Sequence, residues 1–521
     1  MNAIEGRTRR GRSRFVALAL LLLFVLPQGW LAGQEPPLTG LDGYIRNAMQ
    51  QWGIAGLAIA VVHDDSVVFA QGYGVRQVGK PDPVDTHTLF AIGSNTKFFT
   101  AVALGTLVDQ GKMDWDAPVT TYLPWFQLYD PYVTREFTVG DALSHDSGLG
   151  RRGDLLWYGS TYSRDEVLHR IRYLKPISSF RAKFGYQNIM VMAAGQAGGA
   201  AAGESWDSLV TGRILRPLGM AQTNTSVRDL AGLPDVAQPH VWHEGKPTPV
   251  PWRNIDNIGP AGSINSNVMD MSHWLRMLLD DGRFGGEQII KPATLQRIEA
   301  PHTVMPFSQD SLFPSIHFVF YGYGIGMDDY HGVKVLQHTG GIDGMLSQVA
   351  LIPERHLGLV VLTNTEGHNA LFTALMWRVF DAYLGASPRD WSTILLERTK
   401  KQEAAAAARW KKRQEERKTG THPSLSLSAY AGTYRNEMYG DLDVQYDGKK
   451  LVVHFGPSFT GDLTHWHYDT FLANWRSIRE GRAFMNFHLG IDGKVDSVEV
   501  QGIASFARVV EQAEQKDTGG R

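Results

Sequence analysis

The sequence predicts an α/β protein built on a central antiparallel sheet, followed by a separate all-β domain. Three observations carry this reading. Apolar runs rich in small and branched residues flank a polar turn near residues 56–70, and an apolar helical pattern follows at 98–108. A charged, alanine-rich stretch breaks the composition at 400–418. Beyond it, eight short strand-like runs succeed one another to residue 510.

Each element has its own signal. Residues 56–62 and 67–70 read as strands joined at Asp64-Asp65, and 333–337 and 357–363 supply further strands. The helix at 98–108 places Phe98, Val102, Leu104 and Leu107 on an apolar face before a stop at Gly111. Residues 189–197 and 371–384 read as two more apolar helices. This first unit is expected to span 35–390. Residues 391–425 form a charged helical linker: between 400 and 418 there are eight basic and three acidic residues around Ala404 to Ala408, and alanine with long charged side chains favours helix. The β domain is expected over 426–512, with strands at 430–434, 442–446, 451–455, 463–467, 471–475, 484–489, 495–500 and 504–510 and turns at Asp447-Gly448 and Asp492-Gly493. Closing that sheet into a barrel protects its edges. Residues 513–521 form a polar tail.

Composition narrows the function. At 521 residues the chain has room for two or three domains, and no repeat of 20 to 50 residues is visible. A formal net charge of -2 argues against bulk attraction to nucleic acid. The absence of cysteine removes disulfides and thiol catalysis. His240-x-x-His243 and His465-x-His467 lack a clean zinc pattern and read as surface or packing residues, so neither metal nor cofactor is expected. Arg7, Arg9, Arg10, Arg12 and Arg14 precede an apolar run of twelve residues at 15–26, too short to span a membrane comfortably. Residues 1–34 are therefore expected to be a signal peptide, and the mature chain to be periplasmic or secreted without stable membrane insertion.

The chemistry lies in three separated motifs. Ser94 and Lys97 stand three residues apart at the start of the 98–108 helix, so the lysine amine can lie beside the serine Oγ. Burial and neighbouring cations lower a lysine pKa enough for general-base work, and a helix start aims free backbone N–H groups at a developing oxyanion. Tyr186 offers a hydroxyl able to relay a proton, and Asn188 offers a donor and an acceptor suited to orienting Lys97 and a substrate amide. His338, Thr339 and Gly340 fit a strand edge that binds an extended substrate. Together they outline a serine acyl-transfer enzyme.

In this order, Ser94-x-x-Lys97, Tyr186-x-Asn188 and His338-Thr339-Gly340 resemble the serine beta-lactamase-like family, which includes class C beta-lactamases, low-molecular-weight penicillin-binding proteins, D-aminopeptidases and related esterases. The resemblance covers roughly residues 38–384, and residues 142–149 and 262–271 match further landmarks of the family. It implies an α/β/α catalytic domain, with a lipocalin-like or barrel-like C-terminal domain as in some related peptidases. That domain shapes the cleft, mediates homo-oligomerisation or serves as a stabilising accessory. The resemblance also implies that Ser94 and Gly341 supply the two backbone N–H groups of an oxyanion hole. His145 is expected to be structural, donating to backbone near the site.

These roles lead to an acyl-enzyme on Ser94, with the acylation base left open between Lys97 and Tyr186. The expected substrate is a small molecule or short peptide, preferably a peptide or amide and potentially one with a D-residue. A carboxylic ester is the alternative substrate; a catalytically silent cell-wall or peptide-binding protein is the alternative of a different class. His338 stands where many beta-lactamases carry lysine. Because histidine titrates near ~6.5, it attracts a substrate carboxylate less than lysine does at neutral pH.

Overall fold

A computed structural model describes residues 36–510; the expected signal peptide and polar tail lie outside them. The first unit is centred on an eight-stranded antiparallel sheet. In chain order its strands are β1 (Gly56–His63), β2 (Ser66–Gly74), β3 (Thr303–Val304), β4 (Val319–Tyr321), β5 (Gly326–Tyr330), β6 (Val333–Ile342), β7 (Met345–Ile352) and β8 (Leu357–Thr363). They are arranged β2-β1-β8-β7-β6-β5-β4-β3. The turn between β1 and β2 places both Asp64 and Asp65 at positive φ, 48° and 59°, a conformation that the short polar aspartate side chain tolerates.

Strand β1 explains why its alternation is hard to see in the sequence. Ala58, Ala60 and Val62 face one apolar layer and Leu57, Ile59 and Val61 the other, so every residue from Gly56 to Val62 is buried. One layer holds α2 (Thr96–Asp109), α3 (Asn188–Ala202) and α4 (Val268–Leu279). The opposite layer holds α1 (Leu41–Trp52), α5 (Leu371–Leu384) and the start of α6 (Trp391–Glu415). The result is the expected α/β/α sandwich. Helices α2 and α3 carry the nucleophile and tyrosine motifs at their N-termini, and both are buried almost all round, which fixes those termini in place.

The charged helix is anchored at one end and exposed along the rest. In α6, Trp391, Leu395 and Leu396 pack into the core, whereas the alanine-rich half is exposed. Its far end leans on the second unit, where Trp410 lies 5.8 Å from the ring of Trp466 and Arg417 Nε donates to the Trp466 carbonyl at 2.6 Å. That unit is a closed barrel of β9 (Gly432–Asn436), β10 (Gly440–Tyr446), β11 (Leu451–Phe455), β12 (Phe459–His467), β13 (Thr470–Trp475), β14 (Arg482–Leu489), β15 (Val495–Val500) and β16 (Ala504–Arg508). Pairing of β9 with β16 through Tyr434 and Arg508 closes it, and every predicted strand corresponds to one of the eight. Among the described residues, no helix is long and apolar enough to cross a membrane.

Candidate active site

Ser94 sits in a single 3-10 turn, Gly93–Asn95, that feeds directly into α2. Gly93 adopts φ 52°, and a Cβ there would stand 2.5 Å from the Gly341 nitrogen. Across the gap, a Cβ on Gly340 would stand 1.9 Å from the Ile92 carbonyl oxygen. Two glycines thus let the nucleophile turn touch the backbone of β6, closer than side chains allow. Asn95 Nδ2 donates to Ser347 Oγ at 2.7 Å, and Ser347 Oγ donates to the Ile92 carbonyl at 2.7 Å, tying the turn to β7 as well. This brings Ser94 and the Gly341 N–H to one place.

Lys97 lies fully buried one turn into the helix, with Nζ 2.8 Å from Ser94 Oγ and 2.7 Å from the Ala261 carbonyl. The tyrosine motif reaches the same atom: Tyr186 OH donates to Ser94 Oγ at 2.8 Å. Burial pushes the Lys97 amine well below the ordinary lysine range, opposed by the charge of Asp154 and reinforced by Arg151. It also pushes the Tyr186 hydroxyl above the ordinary phenol range, with the bond to Ser94 and the charge of Arg151 opposing the shift. The site therefore favours a neutral amine and a protonated phenol on either side of Ser94. A neutral Lys97 can give one N–H to Ala261 and offer its lone pair to the serine proton.

His338 lies beside this pair on β6. Its Nδ1–H donates to the Thr339 carbonyl at 2.6 Å, leaving Nε2 to accept from Tyr321 OH at 2.9 Å. Burial, with Lys97 adding to it, pushes the imidazole down to about 3, so the ring stays neutral even where an ordinary imidazole would take up a proton. Strand β6 runs on from the predicted 333–337 through Ile342. It pairs with β7 along its length from Leu336, but with β5 only as far as Gln337. Among the described residues, the stretch from His338 to Ile342, including Thr339 and Gly340, therefore has no strand partner on the β5 side.

Two expectations change. Asn188 Nδ2 donates to Asp154 Oδ1 at 3.2 Å, so its bond goes to Asp154 where Lys97 was expected. His145 is buried and structural, but its Nδ1 accepts from the Gln187 N–H at 3.2 Å where it was expected to donate. Its ring fills the space behind Tyr186, centroids 4.3 Å apart. Sequence reasoning missed the Ala261 carbonyl, Tyr321, and the Arg151–Asp154 pair, whose guanidinium lies 4.8 Å above the Tyr186 ring. The only trace of Ala261 was its place beside the 262–271 landmark. The other three occupy stretches without a motif.

Residues 41–384 match the family model Beta-lactamase, and residues 416–517 match a domain of unknown function, DUF3471. The chain is 30% identical over 433 residues to an unguisins hydrolase of Aspergillus campestris, covering 79% of this chain and 78% of that protein. It is 28% identical to penicillin-binding protein 4 of Amycolatopsis lactamdurans, covering 62% of this chain and 84% of that one. Its fold resembles that of the octameric penicillin-binding protein homologue from Pyrococcus abyssi, with a TM-score of 0.61 at 21% identity, covering 90% of this chain and 99% of the other.

Proposed function

Because the chain belongs to the beta-lactamase family and is a serine hydrolase, we propose that it cleaves small peptides or amides, including ones with a D-residue, through an acyl-enzyme on Ser94. Ser94 Oγ attacks the carbonyl carbon while its proton passes to the neutral Lys97 amine 2.8 Å away. The N–H groups of Ser94 and Gly341 receive the oxyanion, each worth about 3 kcal/mol in the transition state. When the C–N bond breaks, Tyr186 gives its proton to the departing amine and regains one from the lysinium across Ser94. Water then attacks the ester carbonyl while Lys97 accepts its proton, and the lysinium returns that proton to Ser94 Oγ as the C–O bond breaks. The opposite pKa directions of Lys97 and Tyr186 support this division of labour, lysine as acylation base and tyrosine as proton donor.

One observation favours a peptide over a simple ester. The unpaired edge of β6 from His338 to Ile342 offers backbone donors and acceptors to an extended chain, whose other amides can add as a further strand. An ester lacking such amides leaves them unused. The neutral His338 fits an acyl group without an obligatory carboxylate, which separates this site from those with lysine there. Asn188, held by Asp154, faces the same substrate. Initial rates on a matched panel of D-peptide, L-peptide, ester and beta-lactam test the assignment. A kcat/KM for the ester above both peptides makes the chain an esterase instead.

Export to the periplasm or beyond is proposed from the basic and apolar segment at 7–29. A homo-oligomer is proposed as well, since the homologue of similar fold is octameric. N-terminal sequencing of the mature protein and sedimentation velocity test these in turn.

A further inference from the structure

The barrel meets the catalytic unit through a buried group of four charges. Asp343 lies in the turn between β6 and β7, two residues beyond Gly341. Arg253 bonds Asp343 and also Glu480, the latter at 2.7 Å, and Arg479 reaches Asp343 at 3.2 Å. Side-chain exposures are 8% for Asp343 and Glu480, 7% for Arg253 and 12% for Arg479. Tyr158 OH donates to the second Asp343 oxygen at 2.7 Å, and the Arg253 guanidinium stacks 4.1 Å above the Tyr158 ring. Arg479 also donates to the Pro251 carbonyl. Two positive and two negative charges balance; Asp343, Arg253 and Arg479 are each held by more than one partner, and Glu480 by Arg253.

Both Arg479 and Glu480 come from the loop between β13 and β14 of the barrel. Their two targets, Asp343 and Arg253, each lie on a segment that leads to the candidate site. One is the turn that ends the Gly340-Gly341 strand. The other is the segment around Arg253, which continues to Ala261, the acceptor of the Lys97 amine. Side-chain truncation of a buried ion pair leaves an unpaired charge, whereas the intact set tolerates only one arrangement of the segments that carry it. Such a set is poorly suited to adding stability and well suited to fixing register. Further contacts hold the same barrel end in place: Tyr439 OH donates to the Arg152 carbonyl at 2.6 Å, and Tyr162 OH to the Tyr439 carbonyl at 3.1 Å.

We propose that Asp343, Arg253, Arg479 and Glu480 are positioning residues for the oxyanion side of the site, and that the C-terminal barrel is thereby a working part of the catalytic apparatus. The proposal rests on the reading of Ser94 and Gly341 given above. Its consequence is specific: weakening the cluster lowers transition-state stabilisation while leaving ground-state substrate binding in place.

The test compares the full-length protein with Glu480→Gln, Arg479→Met and Tyr158→Phe variants. Three quantities are read: kcat and KM for one chromogenic ester, affinity for a boronic acid that forms a tetrahedral adduct on the nucleophile, and the unfolding midpoint. Expected is a fall in kcat of at least ~10-fold in Glu480→Gln with KM nearly unchanged, in proportion to the loss of boronate affinity, and smaller parallel losses in the other two. Glu480→Asp, which keeps the charge, recovers part of both. Should Glu480→Gln not fold, Arg479→Met and Tyr158→Phe decide alone. Folded variants with lowered unfolding midpoints but wild-type kcat and boronate affinity overturn the proposal. A wild-type protein that takes boronate at another residue overturns the site reading, and the proposal with it.

Discussion

Replacing Gly340 with alanine tests whether the close approach of β6 to the nucleophile turn is needed for turnover. The added Cβ would lie 1.9 Å from the Ile92 carbonyl oxygen and 2.8 Å from the Ile92 carbonyl carbon, both backbone atoms, and 2.4 Å from Ser347 Oγ. Ordinary contact begins at 3.4 Å, so the strand and the turn must part by about 1.5 Å. A misplacement of ~1 Å between reacting groups costs on the order of 100-fold in rate, and overpacking costs about 1 to 3 kcal/mol in stability. Gly341→Ala is the internal control: its Cβ first meets the flexible tip of Leu346 at 3.1 Å and keeps the backbone N–H. Turnover of a chromogenic ester at saturation, with thermal unfolding followed by circular dichroism, should show a loss of at least ~100-fold in Gly340→Ala and less than ~10-fold in Gly341→Ala. Folded Gly340→Ala with near wild-type kcat refutes the reasoning.

Four further outcomes follow from the site. Tyr186→Phe keeps the ring beside His145 and loses the hydroxyl 2.8 Å from Ser94, so single-turnover acylation should slow by at least ~100-fold. With Lys97 lowered and Tyr186 raised, kcat/KM should climb with pH on a limb well below the ordinary lysine value of ~10.4 and decline only above ~10; Tyr186→Phe should remove the second limb alone. The same depressed Lys97 value means that the unfolded chain binds more protons below ~10.4, so stability should rise with pH from the folded Lys97 value to that point, and Lys97→Met should remove this part of the slope in pH-dependent denaturant melts. Because His338 sits at about 3, the preference between a matched carboxylate-bearing and neutral substrate should stay constant from about pH 5 to 8, whereas His338→Lys should favour the carboxylate by about 0.5 to 2 kcal/mol in relative kcat/KM.

Much of this architecture is legible in the chain because it is local. The eight barrel strands alternate over a few residues and are punctuated by turns such as Asp447-Gly448, whose glycine takes φ 93°. Ser94 and Lys97 are one helical turn apart, so their contact follows from spacing alone. What the sequence hides depends on segments that meet only in the folded chain. Lys97 finds its second partner 164 positions away at Ala261, and that partner is a backbone carbonyl with no side-chain signature. Asn188 gives its amide N–H to Asp154, because the loop that carries Arg151 folds over the tyrosine motif. His338 reads as an ordinary titrating imidazole until burial and the Tyr321 hydroxyl are seen around it. The short strands β3 and β4 carry too few residues to show a period.

The central claim is that Ser94 becomes acylated during turnover. Intact-mass spectrometry after brief exposure to substrate, quenched in acid, reads this directly for the wild type and Ser94→Ala. The account predicts a single acyl adduct on the wild type that maps to the peptide containing Ser94, and a folded Ser94→Ala protein with neither adduct nor turnover. An adduct on another serine, together with undiminished hydrolysis by Ser94→Ala, contradicts it.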